Sequence, residues 1–232
     1  MTGAQGKAPP PDPHIKQAVA SQLSWDGRID DSDIHIGLRD GEVTLTGTVQ
    51  SHAARRAALL NAWSVLGVRN VVDKLAVRRS PAGPAPGDAD VKHAAGSVLL
   101  WNREIDASAV EVDVEDGVVT LSGSVDAYWK KLAAEELVAD LDGVAQVVDK
   151  LAVVPTRSVR DEVIAEDITR ALDRSTAVDA GAINVSVERG VVTLAGDVGD
   201  WTALRSARDC ATYARGVTDV RNNIVVRAER AG

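Results

Sequence analysis

The stretch Val110-Glu-Val-Asp-Val-Glu-Asp-Gly-Val-Val-Thr-Leu-Ser-Gly-Ser-Val125 decides the fold. Val110, Val112 and Val114 alternate with acidic residues, the period of a half-buried strand. Asp116-Gly117 follows, and aspartate-glycine favours the type I′ turn whose twist suits a hairpin. Beyond the turn the alternation resumes, so a second strand returns beside the first. The same hairpin is written twice more. Ile34, Ile36 and Leu38 lead through Asp40-Gly41 into Val43, Leu45 and Val49, with Thr44, Thr46 and Thr48 on the other side. Ile183, Val185 and Val187 lead through Arg189-Gly190, and Gly190 to Leu194 repeats Gly117 to Leu121 letter for letter. A further glycine lies six residues on in every copy, at Gly47, Gly123 and Gly196. Inside a strand it reads as a bulge or a close backbone approach.

Working outward, an aspartate opens each unit at Asp12, Asp88 and Asp161, where a helix N-cap belongs, and Pro13 follows the first. Apolar residues then recur four apart: Ile15, Val19, Leu23; Val91, Ala95, Leu99; Ile164, Ile168, Leu172. That spacing predicts one face of a short amphipathic helix. After the hairpin comes an alanine-rich helix, roughly 51–66, 127–142 and 200–215, with Ser51, Asp126 and Asp200 as expected caps. Gly67, Gly143 and Gly216 suit the left-handed position that ends helices. A third strand runs through Val71, Leu75 and Val77, and Val71 to Val77 recurs identically as Val147 to Val153. First glycine and closing Gly-Val pair are 26 residues apart in all three copies. The predicted class is α+β: three tandem α-β-β-α-β domains at 12–78, 88–154 and 160–228, each a three-stranded mixed sheet with two helices on one face. The first linker, Arg79 to Asp88, is proline-rich; the second, around Pro155 to Val159, is shorter. Units this small have marginal cores, so packing between copies is expected.

Composition narrows the function. Of the 232 residues 45% are apolar and none is Phe, so the cores are aliphatic. A net charge of -8 disfavours nucleic acid as a partner. Cys210 is the single cysteine, which excludes an internal disulfide and a cysteine-based zinc site. No apolar run is long enough to span a membrane. The opening residues lack the apolar core of a secretory signal. Taken as the native start they predict a cytoplasmic protein, and a periplasmic one if a leader has been removed.

The pattern Gly-x-Val-x-Leu-x-Gly-x-Val, an alanine-rich helix, then Gly-Val-x-x-Val resembles the BON domain, three times over and across nearly the whole chain. The resemblance implies a non-enzymatic protein without a cofactor. It further implies links to osmotic or envelope stress and to binding of phospholipid surfaces or protein partners.

Candidate binding residues are few. Trp25 and Trp101 share one repeat position at the end of the first helix, where the third copy has Arg174. A site that accepts arginine is at least partly exposed, and exposed tryptophan anchors at a lipid interface or binds a partner. Trp129 and Trp201 lie near the start of the second helix, one residue out of register, and are candidates of the same kind. Trp63 is expected to cover surface or contact a neighbouring copy. Arg205 and Arg208 are the basic candidates in the third copy. Asp113, Glu115 and Asp116 form a weak cation candidate at a hairpin tip. The four histidines have no metal-ligand spacing, and the glycines do not form a phosphate loop. Net charge is +1 over residues 12–79, -9 over 88–155 and -1 over 156–232, so an anionic membrane should meet copy one or three. The leading reading is a non-catalytic binding protein at membrane or protein surfaces. The alternative is a soluble sensor of a small ligand or cation.

Overall fold

A computed structural model describes residues 12–78 and 86–227. The first domain runs α1 (Asp12–Trp25), β1 (Ile34–Arg39), β2 (Glu42–Val49), α2 (His52–Trp63) and β3 (Asn70–Val77). The second runs α3 (Asp88–Trp101), β4 (Val110–Glu115), β5 (Val118–Val125), α4 (Tyr128–Ala139), and a third strand in two pieces, β6 (Gln146–Asp149) and β7 (Ala152–Val153). The third runs α5 (Asp161–Arg174), β8 (Ile183–Glu188), β9 (Val191–Val198), α6 (Trp201–Thr212) and β10 (Asp219–Val226). In each sheet the long second strand is central, antiparallel to the first strand and parallel to the third. The mixed sheet follows from the connections: a two-residue turn forces the antiparallel pair, and a crossover helix permits the parallel one.

Each domain has its own core, and both of its helices feed it. Ile164, Ile168 and Leu172 of α5 meet Val192 and Leu194 of β9 and Ala207 and Ala211 of α6. The first domain repeats this with Ile15, Val19 and Leu23, and the second with Val91, Ala95 and Leu99. Alanine on the second helix lets it lie close to the sheet. Each large aliphatic side chain so buried contributes about 1.5–3 kcal/mol.

The turns are as expected. Asp40 and Gly41 have φ of 50° and 78°, Asp116 and Gly117 51° and 76°, Arg189 and Gly190 52° and 78°. Two positive values in succession define type I′. The glycine inside each central strand is a close approach: a Cβ on Gly47, Gly123 or Gly196 would collide with the carbonyl oxygen of Asp33, Ala109 or Ala182 on the neighbouring segment.

The starts of α1, α3, α4 and α5 differ from expectation, and Asp12 is itself the first helical residue of α1. Asp88 and Asp161 are the first helical residues, behind Gly87 and Arg160 at the N-cap. Their carboxylates face across the domain and take both backbone N–H groups of the hairpin turn. Asp88 accepts from Asp116 and Gly117 at 2.8 and 2.9 Å, and Asp161 from Arg189 and Gly190 at 2.7 and 2.9 Å. The aspartate therefore ties the first helix to the turn rather than capping its own helix. Ser51 and Asp200 do cap α2 and α6, through Ala54 and Ala203. Asp126 does not cap α4, whose N-cap is Ala127; it pairs with Lys130 at 2.7 Å, four residues on. The second helices also end near residues 63, 139 and 212, short of the glycines, which sit at positive φ beyond an intervening turn.

Because the carbonyl facing Gly123 belongs to backbone and cannot rotate away, Gly123→Ala is expected to cost about 2–4 kcal/mol. Urea unfolding monitored by circular dichroism measures this; a loss below 1 kcal/mol would contradict the close-approach reading.

Candidate functional site

The three domains touch at joints built from the same part of the repeat. His52, Tyr128 and Trp201 are the first helical residues of α2, α4 and α6, and each reaches the next domain. From domain one, the His52 Nε2 lies 3.2 Å from the Ala145 carbonyl oxygen, and Arg56 pairs with Asp140 at 2.6 Å. From domain two, Tyr128 packs on the third core, while Trp129 lies 6.4 Å from Tyr213. From domain three, Trp201 stacks on Trp63 with centroids 4.4 Å apart and planes within 12°. The start of each second helix thus meets the end of the next one, in the cyclic order one to two, two to three, three to one. A heterologous contact repeated cyclically closes a ring. Here the ring closes within one chain, and only the last joint lacks a covalent linker.

This assigns the tryptophans different surroundings. Trp25 and Trp101 are 87% and 82% exposed at the C-terminal ends of α1 and α3, and Leu100 beside Trp101 is also exposed. Arg174 holds the equivalent exposed place on α5. Trp129 and Trp201 are half-buried in joints, Trp129 also under the Lys130 ammonium at 5.6 Å. Trp63 contacts a neighbouring copy. Of the arginines, Arg205 lies 3.8 Å from Asp209, and Arg208 approaches the Tyr128 of domain two. Asp113 pairs with Lys92 at 3.2 Å, Glu115 is exposed one pleat on, and Asp116 gives its backbone N–H to Asp88. Among the described residues no three His, Cys, Asp or Glu side chains converge to hold a metal ion.

A second recurrent feature lies on the edge strands and was not apparent from hydropathy. Asp73, Asp149 and Asn222 occupy one repeat position, and each side chain accepts the backbone N–H two residues on, at 2.9, 2.8 and 3.1 Å. This blunts an edge that would otherwise pair with another chain. In domain one Arg55 of α2 binds Asp73 at 2.6 Å. In domain two Lys131 of α4 lies 3.8 Å from Asp149 and donates to the Leu151 carbonyl at 2.8 Å, at the break between β6 and β7. The third domain has Leu204 and Asn222 instead, and the ion pair is gone. A cleft of about 1450 Å³ opens there, between α6, the edge of β10 and Trp63, Arg69 and Asn70 of domain one.

The comparisons with known proteins agree with the repeat. The BON domain model matches residues 11–79, 87–155 and 160–228. The chain belongs to the BON domain family. It is 34% identical over 143 residues to the osmotically-inducible protein Y of Escherichia coli, covering 60% of this chain and 71% of that protein. Among solved structures it is similar to CdsD, a structural protein of the type III secretion system of Chlamydia trachomatis, at 16% identity and a TM-score of 0.26 over 92% of this chain and 91% of that one. Among the described residues no helix is long and apolar enough to cross a membrane.

Two outcomes test the joints. Stacked indoles couple their transitions, so Trp63→Ala and Trp201→Ala should each abolish an exciton couplet in the far-ultraviolet dichroism and lower stability by about 1–3 kcal/mol. The His52 pKa is lowered, mainly by burial, with Arg55 and Arg56 adding to the effect and the Ala145 carbonyl and Asp140 opposing it. A lowered folded pKa contributes stability that is present above the unfolded value of about 6.5 and is lost as pH falls through the folded value. Wild type should therefore lose stability as the pH falls below about 6.5, and His52→Gln should flatten that slope in denaturation curves collected across the acidic range.

Proposed function

We propose that this BON-domain chain is a non-catalytic binding protein of osmotic or envelope stress that docks on phospholipid surfaces. The observation that carries the reading is the pair of exposed tryptophans, Trp25 and Trp101, at one repeat position. Indole prefers the headgroup level of a bilayer, and exposed tryptophan of this extent is otherwise costly in water. Because every joint uses the same repeat positions, an approximate threefold rotation relates the domains, which sets Trp25, Trp101 and Arg174 on one rim of the ring. The first domain, at net +1, meets an anionic surface more readily than the second, at net -9. Trp25 is accordingly the principal anchor and Trp101 the lesser one. Trp129 and Trp201 serve this reading indirectly, by holding the ring that sets the rim. Arg205 and Arg208, on the third domain, supply further positive charge. The compartment proposed is the cytoplasm, which suits a single free Cys210; fractionation of cells carrying the native gene checks it, and periplasmic recovery would overturn it.

Co-sedimentation with vesicles of one-quarter anionic lipid tests the main claim. Wild type should bind at low salt, Trp25→Ala should lose most of the binding, and Trp101→Ala less. Equal binding by wild type and the double variant would reject the rim as the docking surface.

A further inference from the structure

Along the seam between α5 and α6 the third copy departs from the other two in size and in charge. Ala171, Cys210 and Ala214 stand where the first copy has Gln22, Asn61 and Val65 and the second has Val98, Leu137 and Leu141. In the first domain Asn61 donates to Asp26 at 2.8 Å, and in the second Val98, Leu137 and Leu141 pack on the core. The smaller side chains of domain three leave a groove of about 430 Å³ between the two helices. Its border is cationic. Arg170, Arg174 and Arg215 line it, at positions held by Ser21, Trp25 and Leu66 in the first copy and by Ser97, Trp101 and Asp142 in the second.

The charges along this groove do not cancel. Asp167 is the one carboxylate in its lining and pairs with Arg170 at 2.7 Å, and Glu166 lies 4.0 Å from the same guanidinium. Asp209 turns to Arg205 at 3.8 Å, and Asp173 lies outside the lining. Arg174 and Arg215 are exposed, and among the described residues neither makes an ion pair. A cation suits the negative end of a helix. The fold does not require one there, since α1 and α3 carry no basic residue in their last turns. Tyr213, exposed at the same border, adds a hydroxyl donor.

We propose that this groove binds a phosphomonoester dianion, held between Arg174 of α5 and Arg215 beyond the end of α6. A dianion matches two uncompensated guanidinium groups, and its terminal oxygens accept from both forks. Ala171 and Ala214 are short enough to admit it between the helices. The site uses no tryptophan and so stands apart from the indole anchors.

Isothermal titration of the full chain at about pH 7.5, where a phosphomonoester has lost its second proton, tests this with ionic strength held by chloride. Inorganic phosphate and glycerol phosphate should bind saturably at one site, and dimethyl phosphate, a monoanion, at least tenfold more weakly. Arg174→Ser with Arg215→Ser should weaken glycerol phosphate at least tenfold. Ala171→Gln with Ala214→Val keeps both arginines, restores the filled seam of the first domain and should weaken it as much. If that pair loses its native dichroism, the exposed arginine pair decides alone. Trp25→Ala with Trp101→Ala should leave the affinity unchanged even where vesicle docking is lost, so the two sites fail separately. Vesicles of phosphatidylcholine with one-quarter phosphatidic acid identify the source: displacement of bound glycerol phosphate assigns the group to a lipid head, and no displacement assigns it to a soluble phosphomonoester. Flat titrations with both phosphates, equal binding of the diester, unchanged affinity in either folded groove variant, or a loss in the tryptophan pair would overturn the proposal.

Discussion

Everything in this molecule depends on covering one apolar face of a three-stranded sheet with two helices, in units of fewer than seventy residues. Such a unit buries too small a share of its surface for comfort. The repeat answers with contacts that add stability without adding chain. The carboxylate at the head of the first helix clamps the hairpin turn, as Asp88 and Asp161 show. The central-strand glycine lets the segment before the first strand lie against the backbone. The edge aspartate or asparagine satisfies its own strand. Each device costs one residue and fixes the position of an element that a small core would leave loose.

The remaining exposed apolar surface is used between domains. Joining the start of one second helix to the end of the next is a heterologous contact, and three such contacts return to their origin. The joints share positions and differ in chemistry: an ion pair with a histidine, a tyrosine-tryptophan contact, and a tryptophan stack. Unlike chemistries discourage domains from pairing out of order, since each helix start matches a single receiving end. The aromatic stack stands at the joint that has no linker to hold it, which is where the most adhesive contact is needed.

The sequence carried the domain plan because its signals are local. Alternation, aspartate-glycine turns and four-residue apolar spacing each report on neighbours a few residues away, and three copies confirmed one another. Caps were less legible: Ser51 and Asp200 read correctly, but Asp126 stands one position too early, and Ala127 at the true cap gives no signal. Asp88 and Asp161 look like caps in sequence because the residue type that caps a helix also accepts hydrogen bonds from a turn 28 residues away. The joints were legible only as an oddity, in that tryptophans appear at positions 63, 129 and 201 without a counterpart in the other copies. Pairing Trp63 with Trp201 requires knowing that the third domain returns to the first, which no local pattern encodes.

Read against its siblings, each copy shows what selection has kept and what it has released. Positions that serve the fold of a single domain are nearly invariant among the three: the turn glycines, the central-strand glycines, the helix-heading aspartate. Positions on the second helix that face outward vary among the copies, as at Arg55, Lys131 and Leu204. At the place of Arg55 and Lys131, Leu204 gives up an ion pair, and half-buried ion pairs contribute little net stability, so its loss is easily borne. The same exchange removes a long side chain from the edge of β10 and leaves the cleft beside it. A repeat protein can therefore specialise one copy without weakening the ring, provided the change falls where the ring does not bear on it. Leu204 lies one turn from Trp201 on α6, close enough to share its cleft with the joint and far enough to leave the stack in place.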